Sequence, residues 1–446
     1  MFQCIGMLAS AVGPNLTKLL HDQLDLMFAC GLSESLRQAL TAIARHIPPL
    51  LRTIQDRLLD LISLTLSGQH YKPLGAPPSY QRPEMAAIKD IAVQQSGATK
   101  APEQIRLALE TLGSFDFSGH ILNEFVRSCA LPYLEDDHPD IRQAAALTCC
   151  RLFVRDPICH QVSNHSIEII SDVLDKLLTV AIADPDPAIR LTVLSSLDER
   201  FDKHLSQAEN VRSLFIALND EVFENRVTAI GLIGRLAIHN PAYVMASLRK
   251  ALIQLLTELE YSTVIRAREE CTKLLSLLIN AMQRLIKPYA VSMLVALLPK
   301  ANDPNPTVSA NILSCVGELA CVGADEVLPL VPQLMDVILK RLTDPVPVKR
   351  DAALRALGQV CSSTGYVIQP LVDHPELFQI LGRILKTDAA PSVRREVIKV
   401  LGVLGAIDPY RRRVRPNELY CFPPDANFCC RLRPMTIKPT RLLCKL

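Results

Sequence analysis

The 446-residue sequence contains no tryptophan, and aromatic residues make up only 5% of it. Glycine is scarce as well, with 17 residues. Leucine, alanine, isoleucine and valine must therefore fill the core, which favours helices packed on helices over an aromatic-rich β architecture. Because 49% of the residues are hydrophobic, the chain can bury a large core, and disorder over most of its length is not expected.

Short motifs that carry chemistry are also missing. The sequence has no Gly-rich phosphate loop, no G-x-S-x-G nucleophile motif and no His/Cys spacing typical of a metal site. The fragments Asp116-Phe117-Ser118-Gly119 and Ala101-Pro102-Glu103 look like two protein-kinase motifs, but they stand in the wrong order and lack the accompanying H-R-D. We therefore predict no catalytic residue, no cofactor and no metal ion for this chain.

None of the fourteen cysteines forms a C-x-x-C pair, and a disulfide framework is not expected in so long a chain. Most of them are predicted to be buried free thiols in a reducing compartment. The stretch Ile5–Val12 lacks the basic residues of a signal peptide, and no apolar run reaches the ~20 residues that cross a membrane. These features predict a cytoplasmic location without direct membrane insertion.

The net charge of +2 is unevenly distributed. Residues 411–446 hold nine Lys/Arg and two Asp/Glu, so the remaining 410 residues carry a net charge of −5. A mildly acidic body offers no basic face to nucleic acid, and no nucleic-acid partner is predicted. The run Arg411-Arg412-Arg413 is either a nuclear-localisation or anionic-lipid patch, or simply a solvated basic tail.

One sequence phrase recurs along the chain: a turn rich in Asp and Pro, then a hydrophobic residue and a basic residue. The basic residue, which we call the anchor, returns every 36 to 48 residues. The anchors are Arg106, Arg142, Arg190, Arg226, Arg268, Ser309 (in place of Arg), Arg350 and Arg394. Asp caps a helix N-terminus and Pro is tolerated in the first turn, so each phrase predicts the start of a helix.

Two further positions recur relative to the anchor. A residue suited to helix packing follows three positions later, at Leu109, Ala145, Val193, Ala229, Cys271, Ile312, Ala353 and Val397. Glycine follows eight positions later in four copies, at Gly234, Gly317, Gly358 and Gly402. We expect the first set to be buried, and the glycines to let neighbouring helices approach closely.

A second helix is predicted before each turn, as at Ile167–Ile182 and Leu328–Leu342. Two helices per ~40 residues predict an all-α, HEAT/armadillo-like superhelical solenoid of antiparallel helix pairs. The alternative is a helical bundle without repeats. Such a solenoid acts through its surface, and the turn residues are candidate contacts for a protein partner. These repeat-turn candidates are Asp137, Pro139, Arg142, Asp184, Pro187, Arg190, Asp220, Arg226, Asp303, Pro306, Asp344, Pro347, Arg350 and Arg394.

The pattern divides the chain into four parts. Residues 1–67 are predicted to form HEAT-type helices, at Leu16–Phe28, Ser35–Ala44 and Pro49–Leu66. Residues 68–102 read as a Pro-rich insertion or linker with a short helix at Met85–Val93, and residues 103–410 as about eight helix-pair repeats. Residues 411–446 form a basic tail rich in Pro and Cys, predicted to be unstructured.

Longer stretches carry a resemblance. They include Phe2-Gln3-Cys4-Ile5-Gly6-Met7-Leu8-Ala9, Ile43-Ala44-Arg45-His46-Ile47-Pro48-Pro49, Gly68-Gln69-His70-Tyr71-Lys72-Pro73 and Asn219-Asp220-Glu221-Val222-Phe223-Glu224-Asn225-Arg226. They resemble the target-of-rapamycin (TOR) serine/threonine kinases, in the later part of the family's N-terminal HEAT solenoid. The likeness covers roughly nine-tenths of the chain and stops at Tyr410.

The resemblance implies a scaffold segment of a kinase that acts in growth and nutrient signalling, with the kinase domain absent from these residues. It implies assembly with a Raptor- or Rictor-type regulatory subunit and with another TOR chain. It also implies a location at lysosomal or other endomembrane surfaces through partners, with the nucleus as a further option. The alternative function is a kinase-less HEAT adaptor that competes with the full-length kinase.

The resemblance begins abruptly at residue 2 and is lost at residue 411. We therefore expect a fragment or an incomplete gene model, with a genuine short product as the alternative.

Overall fold

The computed structural model describes residues 1–72, 101–120, 122–152 and 164–405. Within these ranges the regular elements are α-helices and short 3-10 helices, without any strand, as the sequence predicts. The predicted helix Met85–Val93, most of the predicted insertion and the tail 411–446 lie outside the described residues.

The first part of the chain forms four helices, joined by short 3-10 turns such as Gly13–Leu16 and Pro48–Leu50. They are α1 (Phe2–Val12), α2 (Thr17–Ala29), α3 (Glu34–His46) and α4 (Leu51–Ser67). The three helices predicted here are confirmed to within two residues at each end. The sequence did not predict α1, which packs against α3.

The repeat region consists of paired helices. They are α5 (Pro102–Ser114), α6 (Asn123–Cys129), α7 (Pro139–Leu152), α8 (Asn164–Ala183), α9 (Pro187–Ser196), α10 (Asp202–Leu205), α11 (Ala208–Ile216), α12 (Phe223–His239), α13 (Pro241–Tyr261), α14 (Ile265–Ala281), α15 (Gln283–Ile286), α16 (Ala290–Leu297), α17 (Pro306–Gly323), α18 (Val331–Leu342), α19 (Pro347–Thr364), α20 (Gln369–Asp373), α21 (Leu377–Thr387) and α22 (Pro391–Val403). A 3-10 stretch, Ala324–Leu330, occupies the start of the predicted helix Leu328–Leu342.

The helices that carry an anchor, here called the anchored helices, form one layer. They are α5, α7, α9, α12, α14, α17, α19 and α22, and each contacts the next in this order. Most of them also pack on the helix that precedes them, as α9 does on α8 and α19 on α18. The predicted solenoid of antiparallel helix pairs is therefore confirmed.

The position three residues after the anchor lies at the centre of this packing. All eight residues predicted there have 0% exposure: Leu109, Ala145, Val193, Ala229, Cys271, Ile312, Ala353 and Val397. One residue in the same register of every anchored helix therefore faces the interior, which is what a repeating core requires.

The recurring glycines are of two kinds. A Cβ on Gly234 would lie 2.9 Å from Ala281 Cβ, and one on Gly317 would lie 3.0 Å from Ala356 Cα. Close approach is therefore confirmed at these two sites. At Gly358 a Cβ would make an ordinary contact, 3.5 Å from Val400, and at Gly402 it would meet nothing within 4 Å. The expectation of close approach is therefore wrong at Gly358 and Gly402.

The nine described cysteines form no disulfide, and six of them are buried. Burial raises the pKa of Cys271 and that of Cys361 to about 12. The prediction that most of the thiols are buried is confirmed for the described cysteines, and the exceptions are Cys4, Cys30 and Cys321, which are exposed.

One helical stretch among the described residues, Pro306–Leu342, has the length and apolar composition of a membrane span. However, 61% of its most apolar window is buried inside the protein. Since the stretch is also interrupted by the 3-10 turns of Ala324–Leu330, it reads as part of the packed core.

Substituting alanine at two equivalent glycines tests the packing. Gly317→Ala should lower the free energy of unfolding by about 1–3 kcal/mol, because the new methyl group meets the backbone of α19. Gly358→Ala should instead raise it by up to about 1 kcal/mol, since alanine is the better helix former and has room. Denaturant unfolding of both variants measures the difference, and equal effects would contradict the close approach at Gly317.

Candidate partner-binding surface

A recurring geometry starts each anchored helix from α7 onward, with one exception. An aspartate six residues before the anchor position, here called the turn aspartate, accepts a hydrogen bond from the backbone amide two residues on, at 2.8–3.0 Å. The turn aspartates are Asp136, Asp184, Asp220, Asp303, Asp344 and Asp388. The exception is Ser262, whose hydroxyl accepts from the Val264 amide at 3.3 Å.

The anchor arginine closes the turn from the other side. Arg190 Nη1 donates to the carbonyl oxygen of Asp184 at 2.7 Å, and Arg350 Nη1 donates to that of Asp344 at 2.8 Å. Arg142 makes the same bond to Asp136 at 2.9 Å. The arginine therefore satisfies a carbonyl group that lies outside the helix, and this fixes the shape of the turn.

The same arginine reaches the next repeat. Arg142 Nε donates to Asp184 at 2.8 Å, Arg190 Nε to Asp220 at 2.7 Å, and Arg350 Nε to Asp388 at 2.7 Å. Arg268 donates to Asp303 as well, but through Nη1. We call this series of turn-to-helix bonds the arginine–aspartate ladder, and it shows that successive turns lie side by side along one edge of the solenoid.

The ladder is shielded from solvent. The side chains of Arg190 and Asp220 are 8% and 4% exposed. The hydrogen bond that Arg190 donates to Asp220 raises the pKa of Arg190 above its usual range. Burial alone would raise the pKa of Asp220, but hydrogen bonds from Arg190, the Val222 amide and Asn225 outweigh it and hold that pKa below its usual value.

The ladder departs from this pattern at two junctions. Since Ser262 replaces a turn aspartate, Arg226 donates instead to Glu270, on the body of the next anchored helix. Ser309 replaces an anchor arginine and donates to the Ala301 carbonyl at 2.8 Å. Asp344, which would receive that arginine, lies 3.6 Å from Lys349 Nζ and 3.5 Å from Arg341 Nη1.

The two terminal anchors are also outside the ladder. Arg106 pairs within its own helix with Glu110, at 3.8 Å. Arg394 donates to the Asp388 carbonyl, so it closes its own turn as Arg142, Arg190 and Arg350 do.

The structure thus separates the residues predicted as repeat-turn and partner-contact candidates. Six of these candidates are joined inside the ladder: Arg142, Asp184, Arg190, Asp220, Asp303 and Arg350. The anchor Arg268, which was not among the candidates, is joined there as well. Pro187 is half-buried, whereas Asp137, Pro139, Pro306 and Pro347 are exposed on the turns and remain available to a partner. Sequence reasoning missed Asp388 and named Asp137 where Asp136 is the capping residue. The signal was an aspartate six residues before the anchor.

No group of three or more His, Cys, Asp or Glu side chains within the described residues could hold a metal ion. The geometry instead provides a row of turns whose backbone is fixed by buried charge pairs. Such a row is suited to holding surface side chains at fixed intervals.

Two family models match the chain. Residues 310–360 match a HEAT-like repeat, and residues 367–426 match the serine/threonine-protein kinase mTOR domain. The second match continues past Tyr410, into the stretch predicted to be a tail.

Similar curated proteins match almost the whole chain. Serine/threonine-protein kinase tor1 of Schizosaccharomyces pombe is 49% identical over 412 residues, which are 92% of this chain and 18% of that protein. Serine/threonine-protein kinase TOR2 of Saccharomyces cerevisiae is 40% identical over 424 residues, covering 93% of this chain and 17% of that protein. The chain therefore spans under a fifth of the length of these relatives.

Among solved structures, importin beta superposes with a TM-score of 0.52 at 13% sequence identity. The match covers 93% of this chain and 56% of importin beta. At this identity the likeness shows the helical-repeat fold alone.

Removing a ladder residue should destabilise the array strongly. Arg190→Ala leaves Asp220 buried without its main partner, and the free energy of unfolding should fall by about 3–5 kcal/mol. Arg200→Ala is the matched control, because the Arg200–Asp198 pair is 51% and 45% exposed and should contribute less than about 1 kcal/mol. Denaturant unfolding compares the two variants, and similar losses would refute the structural role of the ladder.

The lowered pKa of Asp220 predicts a pH effect of definite sign. Its pairing stabilises the fold fully above the unfolded pKa of ~3.9, and this contribution is lost as the pH falls through the lower folded value. Asp220→Asn should therefore lower the Tm clearly at pH 6 and by much less at pH 3. A difference in Tm that stays constant between these pH values would count against the assignment.

Proposed function

Since this chain is homologous to the TOR serine/threonine kinases over 92% of its length, we propose that it is a protein-binding scaffold segment of a TOR-type kinase assembly. The observation that carries the proposal is the ladder, which holds successive turns side by side along one edge of the helical array. A stacked array of this kind offers an extended surface to protein partners. The relatives are named as kinases, but the region that matches this chain is under a fifth of their length.

The proposed partners are a Raptor- or Rictor-type regulatory subunit and another TOR chain, as the resemblance implies. The fold supports protein partners in general, because repeat surfaces bind helices and extended segments of other proteins. A net charge of −5 over residues 1–410 argues against nucleic acid as a partner. The proposed location is the cytoplasm, and endomembrane surfaces are reached through partners.

The experiment is a binding measurement between the purified full chain and purified Raptor-type and Rictor-type subunits. Saturable binding to at least one subunit is expected, with a Kd in the range of about 10⁻⁹ to 10⁻⁶ M typical of specific complexes. An importin beta segment of similar length is the control, since it shares the fold alone. Absence of binding to both subunits, or equal binding of the control, would overturn the scaffold proposal.

Two further arms separate the rival functions. If the chain displaces a full-length TOR kinase from the subunit, a free-standing competitor is the better description. A phosphotransfer assay with ATP on the purified chain should give no specific turnover, and measurable turnover would contradict the scaffold proposal.

A further inference from the structure

Three successive turns of the solenoid edge expose apolar side chains. The first turn carries Tyr261, Val264 and Ile265, which are 78%, 59% and 51% exposed. The next two turns expose prolines and Val348, which is 58% exposed. We call this surface the apolar ridge, and its residues are Tyr261, Val264, Ile265, Pro304, Pro306, Pro345, Pro347 and Val348.

The ridge coincides with a change in the turn sequence. The first of the three turns is the one in which Ser262 replaces the turn aspartate, and Ile265 stands where five of the other six turns have proline. Side chains exposed on a turn contribute little to the core, and exposing them to water is unfavourable. A cluster of this kind is typical of a surface that a partner covers.

Charge is depleted on the second and third turns of this surface, whereas the exposed Glu260 and Arg266 flank the first turn. In the second and third turns the exposed residues are all uncharged: Asn302, Pro304, Pro306, Thr307, Thr343, Pro345, Pro347 and Val348. The nearby aspartates, Asp303 and Asp344, turn their carboxylates to Arg268 and to Lys349 and Arg341. Loss of exposed charge marks the core of protein interfaces.

The charge changes at one end of the ridge. The preceding turn carries Glu221, whose side chain is 74% exposed although it shares Arg190 with Asp220, and the exposed Glu224. A partner that lies along the ridge and continues over this turn would meet negative charge. Charge complementarity therefore calls for Lys or Arg at that end of the partner.

The spacing of the turns favours a partner segment that is an α-helix. Packed helices lie about 8–10 Å apart, so adjacent turns present their apolar groups at roughly this interval. An α-helix rises 1.5 Å per residue, so residues seven apart are separated by about 10 Å on one face. The two periods match over three turns.

We propose that the apolar ridge binds one amphipathic helix of a protein partner. Apolar side chains of that helix at positions i, i+7 and i+14 contact the three turns in order. Basic side chains about seven residues before position i lie opposite Glu221 and Glu224. The inference depends on the proposed function only in that the partner is a protein.

A synthetic helix-forming peptide of about 24 residues tests the spacing. The probe carries three leucines seven residues apart, two lysines about seven residues before the first leucine, and a fluorescent label. A control peptide of the same composition has its leucines five residues apart. The full chain should bind the probe saturably in fluorescence anisotropy, and the control peptide at least tenfold more weakly.

Variants of the full chain then locate the site. The double variant Val264→Ser, Ile265→Ser should weaken probe binding at least tenfold, and Glu224→Gln should weaken it less and reduce its dependence on salt. Ile238→Ser is the matched control, because Ile238 is 83% exposed at the opposite end of α12 and should not affect binding. Circular dichroism melts establish that each variant folds.

Three outcomes would overturn the proposal: no binding of the probe, equal binding of the control peptide, or an equal loss in Ile238→Ser. Because the probe is synthetic, its failure leaves the proposed scaffold function standing. Conversely, failure to bind the regulatory subunits leaves the ridge proposal standing.

Discussion

The hydrogen-bonded pair between an anchor arginine and the turn aspartate of the next repeat is the interaction on which the array depends. One carboxylate oxygen of Asp184 caps its own turn, and the two oxygens together receive the arginine of the preceding repeat. The carboxylate of Asp184 therefore fixes both the start of its own helix and the position of the preceding anchored helix. Buried charge pairs often add little net stability, but removing one partner is costly, so such a pair favours one register between repeats over others.

The two junctions that depart from the pattern show that charge pairing is kept even where the residues change. Where Ser262 stands in place of aspartate, Arg226 pairs with Glu270 instead. Where Ser309 stands in place of arginine, Asp344 lies beside Lys349 and Arg341. In both cases the remaining charge lies beside a new opposite charge, because a buried charge without a partner would be strongly destabilising. The solenoid can thus change the chemistry of a turn without losing the junction.

Much of the fold could be predicted from local sequence, because the helix period and the Asp-Pro turns are local signals. The residues three positions after each anchor are all fully buried, as expected. The exposure of the turn charges could not be predicted, since it depends on pairs such as Arg190–Asp220 that lie 30 residues apart. Gly317 and Gly358 occupy the same register and differ only in how closely the neighbouring helix approaches. The exposure of Cys321 likewise depends on which side of α17 its neighbours cover.

The absence of an aspartate at Ser262 has a mechanical consequence. At the four junctions with an arginine–aspartate pair, the arginine ties a helix to the adjacent turn, so the turn cannot rotate without breaking a buried bond. Between α12 and α14 the bond runs from Arg226 to Glu270, helix to helix, and bypasses the turn. At the opposite extreme, Gly317 lets α17 and α19 approach until a methyl group would no longer fit. The array therefore has a torsionally compliant joint near residue 262, whereas close packing of α17 on α19 resists twisting at the junction where Ser309 replaces the arginine.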